Sequence, residues 1–160
     1  MCTYINSYDT WHTTDHPVIC YKVMFKIKRR GKDYYKSIYY GDNFKRKDVP
    51  LEAADYKGDH TPLSLSISHT VSKYTYMITK QGVHAFMTKA DAADFIRANK
   101  NCFNGYREQL VIVECIIPLG TLSIIGKNCY AFTENDAEPV GLENICAKKI
   151  IIKKEINEKI

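Results

Sequence analysis

The feature that most constrains this chain is a strict alternation of side-chain character that begins after Cys20. The apolar positions are Tyr21, Val23, Phe25 and Ile27, and the positions between them are Lys22, Met24, Lys26 and Lys28. A period of two places these two sets on opposite faces of an extended strand. The pattern therefore predicts a half-buried strand whose lysines face the solvent.

A second strand follows over residues 34–40, after a turn over residues 29–33, and the pair predicts a β-hairpin. Residues 22–47 contain ten Lys or Arg and two Asp, a net charge of +8, whereas the whole chain carries +5. Basic side chains interleaved with tyrosines can neutralise phosphates and stack on bases. The candidate anion or nucleic-acid contacts are Lys26, Lys28, Arg29, Arg30, Lys32 and Lys36. The alternative is a solvated face whose charges protect a sheet edge from aggregation.

The rest of the chain predicts an α+β fold in one domain, residues 1–160, built mostly of antiparallel β-structure with about seven strands. Further strands are expected over residues 83–87, 110–117, 122–125, 129–132 and 145–156, the last of them Lys-flanked as suits a sheet edge. Residues 59–80 predict weak strands or an ordered loop. A helix over about 89–99 is expected with Thr88 as its cap, and a short helix over about 50–57 after Pro50. Residues 1–17 show no period and are expected to form a loosely ordered arm.

Six cysteines stand at least 13 positions apart, so no C-x-x-C pair is present. The first residues lack the basic and apolar segments of a secretory signal, and no run reaches the roughly 18 apolar residues of a membrane helix. We therefore expect a cytoplasmic protein with reduced thiols that does not enter a membrane.

Motifs of the common catalytic classes are missing from the sequence. There is no G-x-G-x-x-G, Walker A, G-x-S-x-G or zinc-deaminase signature, so no catalytic residue, cofactor or metal is predicted. His12 and His16 could share a metal with Cys2 or Cys20 if they lay on a helix, but a polar terminal arm is the alternative. His84 is either a pocket residue acting as a general base or a histidine satisfied within the core.

Several pieces of the chain together resemble a family of small proteins from bacteriophages and gut Bacteroidota. These pieces are residues 20–23, 82–86 and 111–121, followed by Gly126 and residues 130–131. That resemblance implies a phage-like accessory protein and names no activity. The order of the pieces is more distantly similar to the ADP-ribosyltransferase architecture, which implies an NAD pocket. The resemblance would place Tyr21, His84 and one of the late glutamates, Glu138 or Glu143, in that pocket.

Three functions thus stand as expectations. The first is a small binding or accessory protein whose partner is another protein. The second is an NAD-binding enzyme or pseudo-enzyme of the ADP-ribosyltransferase type. The third is nucleic-acid binding through the basic hairpin over residues 22–47. Twelve tyrosines and an edge-like last strand are also compatible with a homodimer.

Overall fold

The computed structural model describes residues 3–6, 12–38, 44–52, 65–71, 74–79, 82–99, 109–129 and 141–156. The strands in these residues are β1 (Thr3–Asn6), β2 (His12–Thr13), β3 (Val18–Arg29), β4 (Lys32–Ser37), β5 (Pro50–Glu52), β6 (Leu65–Val71), β7 (Tyr74–Thr79), β8 (Val83–Phe86), β9 (Gln109–Ile117), β10 (Leu122–Cys129), β11 (Gly141–Ala147) and β12 (Lys149–Ile156). One helix, α1 (Lys89–Ala98), accompanies them. The strand pairings are antiparallel, so the sheet-dominated fold is confirmed, while the count of about seven strands is not.

The strands form one sheet in the order β5-β12-β9-β3-β8-β11-β10-β1-β7-β6, with β4 added to β3 and β2 added to β10. Only Lys148 separates β11 from β12 in the chain, yet these strands lie on opposite sides of β3 in the sheet. The five strands from β12 to β11 must therefore curl around a common interior. That interior is apolar and includes Cys20, Met24, Val83, Ala85, Val113, Cys115, Ile145, Ile150 and Ile152.

Helix α1 covers the outer face of the same strands. Its buried residues Ala92, Phe95 and Ile96 pack in one cluster with residues of β3, β8 and β9, namely Val23, Phe86 and Ile112. Thr88 caps the helix as predicted, because its hydroxyl oxygen accepts a 3.1 Å hydrogen bond from the backbone N–H of Asp91. In the described part of the chain no helix has the length and apolar character needed to cross a bilayer.

The predicted alternation in β3 is correct, but its interpretation as a half-buried strand is wrong at Lys22. Residues Cys20, Lys22 and Met24 point into the interior of the curled sheet, and α1 covers the opposite face. The Lys22 residue is only 3% exposed. The alternation therefore separates two buried environments, and one of them contains a lysine.

Further predictions from local patterns need correction. The short helix expected over 50–57 is not confirmed, since Pro50–Glu52 forms β5 and pairs with β12, and residues 53–57 lie outside the described residues. The single last strand expected over 145–156 is two strands, β11 and β12, divided at Lys148, and β12 is no edge over residues 149–151, where it lies between β9 and β5. Gly126, predicted within a turn, continues β10, which ends at Cys129, and residues 130–132 lie outside the described part.

The β3–β4 hairpin is present, and its turn explains its register. Arg30 and Gly31 both have positive φ values, 50° and 75°, and Arg29 pairs directly with Lys32. Two left-handed residues at a two-residue turn match the twist of the flanking strands. The end of the predicted second strand, from residue 39, lies outside the described residues.

The two ambiguous regions of the sequence contribute strands. Within residues 59–80, β6 and β7 pair with each other. Within residues 1–17, β1 pairs with β7 and β10, and β2 pairs with β10. The region predicted as an arm is therefore joined to the sheet at both of these segments.

Candidate functional site

One face of the β3–β4 hairpin gathers basic and aromatic side chains. In the antiparallel register Arg29 lies opposite Lys32, Ile27 opposite Tyr34, and Phe25 opposite Lys36. Directly paired residues project from the same face of a sheet, and alternate residues of one strand do the same. We call the set formed by Arg29, Lys32, Tyr34, Lys36 and Phe44 the basic–aromatic face.

Phe44 belongs to this face because two cations contact its ring. The guanidinium carbon Cζ of Arg29 lies 4.9 Å from the ring centroid, and Nζ of Lys36 lies 5.6 Å from it. Arg29 and Lys36 come from opposite ends of the face, so their side chains converge on the ring between them. Cations over an aromatic ring are attracted by its negative face, and Phe44 therefore holds two positive charges near one point.

The described carboxylates of this region, Asp33 and Glu155, lie on the other face of the hairpin. Lys26 Nζ contacts Glu155 Oε2 at 2.7 Å and Asp33 Oδ2 at 3.3 Å. The hydroxyl of Tyr35 donates to the same Glu155 oxygen at 3.1 Å. Burial, and then the charge of Glu155, raise the pKa of Tyr35 to about 12. Lys26, a predicted anion contact, is thus occupied by two carboxylates and turned away from the basic–aromatic face.

Further cations surround the turn of the hairpin. Lys28, Arg29, Arg30 and Lys32 are all exposed. Within the described residues none of these four forms an ion pair with a carboxylate. Positive charge therefore accumulates at this end of the molecule and remains available to an external anion.

Phe44 is the residue that the sequence analysis missed. It stands outside both predicted strands, and its backbone neighbour Lys45 pairs with Tyr35 through an isolated bridge. Both Tyr35–Lys45 backbone hydrogen bonds are 2.8 Å long, so the segment is fixed along the free edge of β4. The signal available in the sequence was the basic run at 45–47, which continues the charge of the hairpin after a loop.

A second polar group lies inside the protein around Lys22. Its ammonium donates a 2.6 Å hydrogen bond to the backbone carbonyl of His84. Cys20 and Cys115 face each other across β3 and β9 on the same interior surface. Burial lowers the pKa of Lys22 from 10.5 to about 8 and raises the pKa of Cys115 to about 12. These groups are enclosed, so the arrangement is a buried polar contact within the core.

His84 belongs to the core as the second sequence interpretation proposed. It is 6% exposed, and its Nε2 lies 3.8 Å from Sγ of Cys146, its partner across β8 and β11. Burial, followed by the positive charge of Lys22, lowers its pKa from 6.5 to about 3. His84 is therefore a neutral imidazole near pH 7, in a position that solvent hardly reaches.

Of the residues assigned to an NAD pocket, Tyr21 and His84 lie on one face of the sheet and Glu143 lies on the other. Tyr21 and His84 share the outer face of β3 and β8, because Tyr21 pairs with Phe86, two positions from His84. Glu143 is exposed, and alternation along β11 puts its side chain on the other face from Asn144 and Cys146. Glu138 lies outside the described residues.

The described residues contain no cluster of three or more potential metal ligands. His12 and His16 are exposed, and His16 contacts Asp15, whereas Cys20 is buried in the interior. A groove of about 630 Å³ lies where the β9–β10 turn meets the β11–β12 junction. Its lining residues are Glu52, Pro118, Leu119, Gly120, Thr121, Leu122, Lys148 and Lys149. None of the described residues predicted to form a site lines this groove.

Comparison with known proteins finds no matching family, no matching curated protein and no matching solved structure.

Proposed function

We propose that this protein binds nucleic acid and that the basic–aromatic face of the β3–β4 hairpin contacts its phosphates. The observation that carries the proposal is the convergence of Arg29 and Lys36 on Phe44, on a face where the described residues include no carboxylate. Lysine and arginine side chains bind phosphate oxygens through charge-assisted hydrogen bonds. Each neutralised phosphate releases bound counterions, which makes such binding strongly dependent on salt.

The distribution of the acidic groups supports this function over a merely solvated surface. Asp33, the acidic residue in the described strands of the hairpin, is held on the opposite face by Lys26. Glu155 is held there by Lys26 and Tyr35. A surface optimised only for solubility intersperses charges of both signs, whereas the described residues of this hairpin separate them. The separation leaves a field of one sign on the face that would meet the ligand.

Fluorescence anisotropy with a labelled oligonucleotide tests the proposal, with the salt concentration varied from 50 to 200 mM. The informative variant is the double substitution Arg29→Ala, Lys32→Ala, because these two exposed residues lie opposite each other beside the turn. The matched control is Lys148→Ala, Lys149→Ala, which removes the same charge at the distant groove.

We expect the hairpin variant to weaken binding for every oligonucleotide sequence. We also expect it to reduce the slope of log K against log salt by up to about 2, one for each lost phosphate contact. The control variant should retain the wild-type slope. Absence of binding at the lowest salt, or equal loss in the two variants, would overturn the proposal.

A further inference from the structure

The basic–aromatic face carries planar groups as well as charges, and the planar groups bear on the form of nucleic acid bound. Phe44 and Tyr34 are both half-buried, so neither residue is enclosed in the core. Phosphates are presented by single strands and duplexes alike, and cations alone do not distinguish them. Aromatic rings distinguish them, because only unpaired bases can be splayed out and stacked on a protein side chain.

The geometry points to single-stranded nucleic acid as the ligand of this face, with Phe44, Tyr34 and the Arg29 guanidinium forming a stacking platform for unpaired bases. This inference rests on the function proposed above and specifies its substrate class. The Arg29 guanidinium lies over the Phe44 ring at 4.9 Å, and bases stack on guanidinium planes as well as on aromatic rings.

The surroundings of the Tyr34 ring fit an extended single strand of nucleic acid. Tyr34 stands between Lys32 and Lys36 along β4, and all three project from the same face because alternate residues do so. Cations therefore flank an aromatic ring on both sides. A single strand of nucleic acid lying along β4 could place a phosphate on the exposed Lys32 and a base on the neighbouring Tyr34 ring. Protein sites that bind single-stranded nucleic acids combine a positively charged groove with aromatic side chains in this way.

Phe44 could instead serve only to hold Arg29 in place, and the salt dependence of binding separates the two roles. If Phe44 only positions Arg29, then Phe44→Leu should lower the salt slope as the loss of Arg29 does. If its ring stacks on bases, then Phe44→Leu should weaken binding with the salt slope unchanged. Phe44→Trp keeps a stacking ring, and its fluorescence reports contact with a base.

The experiment compares a single-stranded oligonucleotide with a duplex of the same length and sequence, using wild type, Phe44→Leu, Phe44→Trp and the Arg29→Ala, Lys32→Ala variant. We expect tighter binding of the single strand and roughly tenfold weaker single-strand binding in Phe44→Leu at an unchanged salt slope. In Phe44→Trp we expect wild-type affinity. The added tryptophan, measured against the wild-type signal, should be quenched by the single strand and not by the duplex.

Equal affinity for single strand and duplex, with no effect of Phe44→Leu, would overturn the single-strand inference. The Arg29→Ala, Lys32→Ala variant would still bind weakly in that case, so the proposed nucleic-acid function would stand. Absence of binding to either form would overturn both. A Phe44→Leu variant with a lowered salt slope would assign Phe44 to positioning Arg29 and would also overturn the stacking role.

Discussion

The ammonium group of Lys22 donates a 2.6 Å hydrogen bond to the backbone carbonyl of His84, at the point where the sheet divides. β3 pairs with β8 at Tyr21 and with β4 from Met24 onward, so the edge of β3 changes partner at Lys22. A backbone carbonyl left unpaired at such a fork would carry a desolvation cost. The buried lysine thus supplies the donor that the neighbouring strand does not.

This contact predicts a pH dependence of stability above neutrality. Burial lowers the pKa of Lys22 from 10.5 to about 8 in the folded protein. Between these values the unfolded chain binds more protons, so raising the pH stabilises the folded state. Relative to Lys22→Met, the wild type should gain up to about 3 kcal/mol between pH 8 and pH 10.5.

Urea unfolding of both proteins at a series of pH values measures this gain. The comparison with Lys22→Met is essential because the tyrosines and thiols, which titrate in the same range, are shared by the two proteins. A difference in the free energy of unfolding that stays constant from pH 8 to pH 10.5 would show that Lys22 titrates normally and is not desolvated.

The lowered pKa of His84 predicts a second pH range, below neutrality, in which stability depends on pH. Burial lowers the pKa of His84 from 6.5 to about 3, so the unfolded state binds more protons between these values. Stability should therefore fall as the pH falls from 6.5 to 3, and the contribution of His84 is at most about 5 kcal/mol. His84→Gln keeps a polar side chain that does not titrate, and it should lose less stability over this range. Parallel acid unfolding curves for the two proteins would contradict the prediction.

Much of the fold follows from patterns along the chain, because strands and caps depend on near neighbours. The period of two in β3 identifies its two faces, and Thr88 with Asp91 marks the start of α1. Whether each of those faces is buried or exposed depends on elements far away in the chain. The face of β3 that contains Lys22 is buried because β11 and β12 curl the sheet, and no local pattern at Lys22 records that.

In the candidate site too, some features follow from near neighbours in the sequence and others depend on distant residues. The charges of the hairpin are evident from the sequence, but the register is not, because the turn predicted over residues 29–33 is a two-residue turn at Arg30 and Gly31 that pairs Arg29 with Lys32. The binding of Lys26 by Glu155 spans 129 positions of the chain and could not be predicted from spacing. Phe44 likewise reaches Arg29 only after the chain has returned along the free edge of β4.

Removal of the N-cap of α1 is expected to lower the stability of the protein. Thr88 accepts a hydrogen bond from the Asp91 N–H at 3.1 Å, and its own hydroxyl donates to Asp91 Oδ2 at 2.7 Å. Thr88→Ala removes both bonds and should destabilise the protein by about 1 kcal/mol, whereas Thr88→Ser should be close to wild type. Thermal unfolding of the three proteins checks the order. Equal melting temperatures for Thr88→Ala and Thr88→Ser would show that the cap does not contribute.

Replacing Asn144 by an apolar residue is expected to stabilise the protein. Asn144 is fully buried on β11, opposite Phe86, and within the described part of the chain neither its side-chain nitrogen nor its side-chain oxygen has a hydrogen-bond partner. Burying an unpaired amide costs about 1–3 kcal/mol, so Asn144→Leu, which keeps the branched shape of the side chain without its polar atoms, should raise the free energy of unfolding by up to about that amount. Asn144→Asp should lower it, because a carboxylate at this position would be buried without a partner. Urea unfolding of the three proteins measures both changes, and a destabilised Asn144→Leu would mean that the amide makes contacts the folded protein needs.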